Sequence, residues 1–105
     1  MTRFTTPTLL LRIPIDLTGK QIFVTFEQPK RELTKSGDDI VASYDSEIGK
    51  TVIQVALTQQ ETAMFCPGEC LAQINWISSD GVRGASRKKR LRIHENLLDR
   101  EVQYE

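Results

Sequence analysis

The segment Gln21-Ile22-Phe23-Val24-Thr25-Phe26-Glu27-Gln28 alternates with a period of two. Ile22, Val24 and Phe26 share one parity, and Phe23, Thr25 and Glu27 hold the other. In an extended chain those two sets point to opposite faces, so the segment reads as a strand with one apolar face. Its β-branched and aromatic content fits a pleated surface. Working outward, the same period governs most of the chain. Leu9, Leu11, Ile13 and Ile15 precede it as a first strand, with Pro14 on the opposite parity. Proline has no N–H for a ladder, which places that strand at a sheet edge. Asp16 to Lys20, containing Gly19, joins the two as a turn.

On the other side, Pro29 closes the segment and Arg31 to Lys35 forms a short third strand around Leu33. Ser36-Gly37-Asp38-Asp39 is a turn signal before a fourth strand, Ile40 to Tyr44. A fifth runs from Thr51 to Leu57, presenting Ile53, Val55 and Leu57 to one side. Thr58-Gln59-Gln60-Glu61 has the Thr-x-x-Glu form of a capping box. Pro67 follows so soon that at most one short helical turn fits. Cys70, Ala72, Ile74 and Trp76 then mark a sixth strand, and Ser79-Asp80-Gly81 turns it into a last strand, Val82 to Ile93. About seven strands separated by turn signals imply an all-β fold, a two-sheet antiparallel sandwich with immunoglobulin-like topology.

The sequence has 105 residues, 39% of them hydrophobic, with 14 Lys+Arg against 14 Asp+Glu. That length supports one core, so residues 1–94 read as a single sandwich domain and 95–105 as a tail, disordered or docking on a partner. Zero net charge gives no long-range field to draw in nucleic acid or an anionic membrane. The longest apolar stretch, Leu9 to Ile15, is broken by Arg12 and Pro14 and falls short of the ~20 residues that span a bilayer. No small-residue cleavage site follows it, so the reading is of a chain without a signal peptide, kept in a cytoplasm where thiols stay reduced.

No catalytic constellation emerges. His94, the single histidine, has no paired base or acid in the pattern around it. Ser78 and Ser79 are read as turn hydrogen bonders. Cys66-Pro67-Gly68-Glu69-Cys70 offers two thiols where zinc takes four ligands, so no metal or cofactor is expected. A disulfide across that turn is open on geometry. Two separate thiols, with Cys70 packed inward, is the favoured reading. Gly81-x-x-Gly84 lacks the lysine and helix of a phosphate loop.

Six basic residues crowd the last strand: Arg83, Arg87, Lys88, Lys89, Arg90 and Arg92. On a strand they fall on both faces and so cannot form a one-sided stripe. No aromatic residue lies among them to stack a base. The run is therefore read as a solvated, protected edge or a protein interface, with nucleic-acid binding as the alternative.

Taken together, Thr5-Thr6-Pro7-Thr8, Leu11-Arg12-Ile13-Pro14-Ile15-Asp16, Ile22 to Gln28, Val52 to Thr62 and Ala72-Gln73-Ile74-Asn75-Trp76 resemble a family of small β-sandwich proteins and domains of tailed phages and prophages of Gram-positive bacteria. That family includes the amino-terminal domain of the upper baseplate protein. The resemblance implies a non-enzymatic virion module that self-associates and attaches to other tail or baseplate proteins. It also implies a location in the host bacterial cytoplasm during assembly and then in the virion. It transfers no catalytic positions. Relatives carry a small-polar and apolar last strand where this chain has Arg87-Lys88-Lys89-Arg90. Longer members continue into further domains, and a chain ending at Glu105 reads as a free-standing accessory. The residues expected at an interface are Arg87, Lys88, Lys89, Arg90 and Arg92 on the last strand, with Leu97 and Leu98 in the tail. The tail's Glu95, Asp99, Glu101 and Glu105 complement the basic strand, so an exchanged strand or tail is an expected mode of self-association.

Overall fold

The computed structural model describes residues 1–104. Eight strands follow in order: β1 (Thr8–Ile13), β2 (Gln21–Gln28), β3 (Arg31–Ser36), β4 (Ile40–Asp45), β5 (Lys50–Ala56), β6 (Gly68–Ile77), β7 (Arg83–Ala85) and β8 (Lys89–Ile93). A 3₁₀ turn, Gly37–Asp39, links β3 to β4, and a short helix α1 (Gln59–Ala63) links β5 to β6. All the strand pairs are antiparallel. One sheet runs β1-β5-β4, the other β3-β2-β6, with β7 and β8 both on the outer side of β6. In an immunoglobulin sandwich the sheets run A-B-E-D and C′-C-F-G. Here β1, β5 and β4 hold the places of B, E and D, and β3, β2, β6 and β7–β8 those of C′, C, F and G.

The alternation in β2 sets the core. Ile22, Val24 and Phe26 face inward, opposite Trp76, Ile74 and Ala72 of β6, while Leu11 and Ile13 of β1 and Ile53 and Val55 of β5 come from the other sheet. Val24, Phe26, Ile53 and Val55 are all 0% exposed. Cys70 is buried and Cys66 exposed, both as free thiols. Burial raises the Cys70 thiol above its ordinary pKa, as an apolar site disfavours thiolate.

Buried polar groups are paired between segments distant in the chain. The Thr51 hydroxyl donates to the Ile15 carbonyl at 2.6 Å and accepts the Leu17 amide at 3.1 Å, holding the β1–β2 turn against β5. Gln28 donates to the carbonyls of Cys66 and Glu69 and accepts the Cys66 amide, at 2.8 to 3.1 Å. It thereby satisfies backbone groups where the chain enters β6, at Cys66 before the strand and at Glu69 near its start. Both halves of the capping box form at α1: the Thr58 side chain accepts the Glu61 amide, and the Glu61 carboxylate accepts the Thr58 amide.

Two strand readings change. The first strand ends at Ile13, and Ile15 lies beyond it with its side chain exposed. Its parity matched the strand, but Pro14 removes the amide that would have continued the pairing. The last strand is broken. Pairing of β6 with β7 sets Asn75 against Ala85, and pairing with β8 sets Ala72 against Lys89. Three residues, Ser86 to Lys88, therefore oppose two, Gln73 and Ile74. This is a one-residue β-bulge, and it switches the inward parity from Gly84 to Leu91 and Ile93. The Ser86 hydroxyl accepts the Ile74 amide and its own amide donates to the Ile74 carbonyl, so the bulge is hydrogen-bonded in place.

Candidate functional site: an apolar groove with a basic rim

The two long sides of the sandwich differ. On one, the chain itself crosses between the sheets through Gly37–Asp39. On the other, the edges of β1 and β7–β8 face each other, and among the described residues no strand lies beside β1 in the place of strand A. Met1–Arg3 cover only one end of this side. Thr2 forms a parallel bridge with His94, and the His94 amide donates to the Met1 carbonyl at 2.7 Å.

What remains open is a groove of about 620 Å³. Its floor is Leu11 and Ile13 of β1 with Ala72, Ile74 and Trp76 of β6, and its basic rim is Arg12, Arg87, Lys88 and Lys89. Such a volume falls within the ~300–1,000 Å³ typical of binding clefts. The bulge positions the rim, turning Arg87 and Lys88 out of the ladder while Lys89 takes the inward parity over Ala72.

Trp76 is held over Gly84, its partner across β6 and β7. A Cβ on Gly84 would come within 2.5 Å of the indole ring, so only glycine admits the ring there. Gly84→Val is therefore expected to push Trp76 off the strand and cost about 2 kcal/mol. Because the chain has one tryptophan, its emission would move to longer wavelength. An unchanged spectrum and melting point would refute the stacking.

The residues singled out from sequence divide between two ends of the molecule. Arg87, Lys88 and Lys89 line the groove. Arg90 points outward, 3.1 Å from Glu69, and Arg92 is exposed on the same parity. Leu97 and Leu98 lie in the tail, Leu97 with its side chain wholly exposed. That tail sits at the end where Gly68 pairs with Ile93, away from the groove. It lies on its own domain through polar contacts: Arg3 with Asp99 at 2.6 Å, Gln59 with both backbone groups of Val102, and Gln60 with Glu101.

Arg12 and Trp76 complete the groove but were not singled out, because their meeting depends on which strands face each other. The hydroxyl of Ser78 is used in the β6–β7 turn, bonding Asp80 and the Val82 carbonyl. His94 is exposed at the tail end. Among the described residues no group of three or more His, Cys, Asp or Glu could hold a metal, and no helix is long and apolar enough to cross a membrane. Comparison with protein-family models, curated proteins and solved structures finds no match.

Proposed function

We propose that this chain is a non-enzymatic structural protein of a phage or prophage, an assembly or attachment module of a tail or baseplate. It works through protein–protein contacts, with copies of itself and with other virion proteins, in the host bacterial cytoplasm during assembly and then in the particle. The observation that carries the reading is the open side of the sandwich, where two unpaired strand edges flank an apolar groove with a basic rim. Exposed edges recruit extended partners through their backbone groups, and the floor adds side-chain burial. The sequence resemblance to phage sandwich modules supports the setting.

The test is solution mass by light scattering behind size exclusion, at two concentrations and two salt levels. A multimer that grows with concentration and weakens with salt is expected, since the rim charges are exposed and screened. A chain that stays at 12.0 kDa throughout, yet shifts oligonucleotides at low salt, would overturn the reading in favour of nucleic-acid binding through Arg83–Arg92.

A further inference from the structure

We infer that the groove is the docking site for the acidic C-terminal tail of a second copy of this chain, received as an extended strand beside β1. The inference rests on the assembly reading and specifies its contact. The immunoglobulin arrangement places strand A against the strand that β1 represents, and among the described residues β1 pairs with β5 alone, on its other side. A strand added there would have backbone partners along β1 and side-chain partners on the groove floor.

The tail fits that place in length, pattern and charge. The groove follows β1 from Leu11 to the strand's end at Ile13, with Pro14 and Ile15 beyond it, and follows β6 from Ala72 to Trp76, a run of five β6 residues or roughly 17 Å of strand. Leu98 to Tyr104 spans it with a residue to spare at each end. In extended form, Leu98, Val102 and Tyr104 share one face, with Arg100 among them. Arg100 has a long apolar stem that can lie along the floor while its head reaches water. Asp99 and Glu101 share the other face and come out toward Arg12, Arg87, Lys88 and Lys89. In the isolated chain the side chains of Leu97 and Tyr104 are wholly exposed, and Leu98 and Val102 are partly so. The tail is held on its own domain by exposed polar contacts, which a groove contact can replace. Its own groove lies toward the other end of the sandwich, so a neighbour's groove is the one it reaches without folding back over the domain.

Charge reversal in the full chain tests this directly. One variant carries Arg87→Glu, Lys88→Glu and Lys89→Glu, all at exposed positions, and the other carries Asp99→Lys and Glu101→Lys. Circular dichroism establishes that both are folded. Each alone is expected to associate at least about tenfold more weakly than the parent, because like charges then meet across the contact. An equimolar mixture is expected to regain the parent's mass, since both of its cross-contacts are complementary. Three results would overturn the inference. If the parent assembles and either variant matches it, the assembly reading stands and the tail–groove contact falls. If both variants are monomeric and their mixture stays so, the charges act elsewhere. A parent that is monomeric at every concentration removes self-association and this contact together.

Discussion

Replacing Glu61 by alanine is expected to lower the melting temperature by roughly 12–15 °C, a loss of about 3 kcal/mol. The cause is Lys35. This lysine sits on β3 with its side chain turned into the sandwich, 6% exposed, and its ammonium donates to both Glu61 oxygens at 2.8 and 2.9 Å. Removing Glu61 strands that ammonium and also deletes half of the capping box at α1. The figure stays at the low end for a broken buried pair because the Glu61 side chain keeps 20% of its surface. Lys35→Met on the Glu61→Ala background should recover most of the loss, and a double-mutant cycle by thermal melts would measure the coupling. Failure of the second change to rescue would mean that the cap, and not the stranded charge, dominates.

The same carboxylate sets an acid limit. Burial, the largest influence, pushes the Glu61 pKa up, but it is outweighed by the hydrogen bond from Lys35, the bond from the Thr58 amide and the charge of Lys35. The net result lies below the ordinary value of 4.5. A depressed folded-state pKa contributes stability in full above the unfolded value and loses it as pH falls through the folded one. The gap between the parent and Glu61→Ala should therefore be constant from neutral pH to about 4.5 and narrow below it. A gap that widens on acidification would contradict the pairing.

Phe26→Ala carries the largest expected loss, about 4 kcal/mol. Phe26 is wholly buried in β2, with Leu33 of β3 opposite on one side and Ala72 of β6 on the other. Ala72 is too small to collapse into the space left behind, so a cavity persists between the sheets. Against a typical total of about 5–15 kcal/mol for a domain of this size, the variant would be largely unfolded at moderate urea. Chemical denaturation followed by Trp76 fluorescence reads this directly. A midpoint close to the parent's would show that β2 is not the centre of the core.

The strands and the capping box were legible in the sequence because each is written in neighbouring residues. A period of two over Gln21–Gln28, or a Thr-x-x-Glu, needs no knowledge of the rest of the chain. Gln28 and Lys35 were not legible as buried polar anchors. Their partners lie in the segments 66–69 and 58–61, and only the folded sheets bring them together. The bulge did leave a trace, in that inward residues move from even numbers at Gly84 to odd ones at Leu91 and Ile93. The crowded charges at 87–90 masked that change of parity. The groove depends on sheet order: Arg12 and Lys89 are 77 positions apart in the chain, and no local pattern says they share a rim.

Because the tail leaves from one end of the sandwich and the groove opens toward the other, a tail-to-groove contact joins two different surfaces. Contacts of that kind repeat from copy to copy, closing into a ring, of two members at the smallest, where the rotation per step divides a full turn and extending as a filament where it does not. A chain cut before Leu97 would keep its groove but offer nothing onward. Added in small amounts, it would act as a terminator, shortening assemblies in proportion to its share of the mixture.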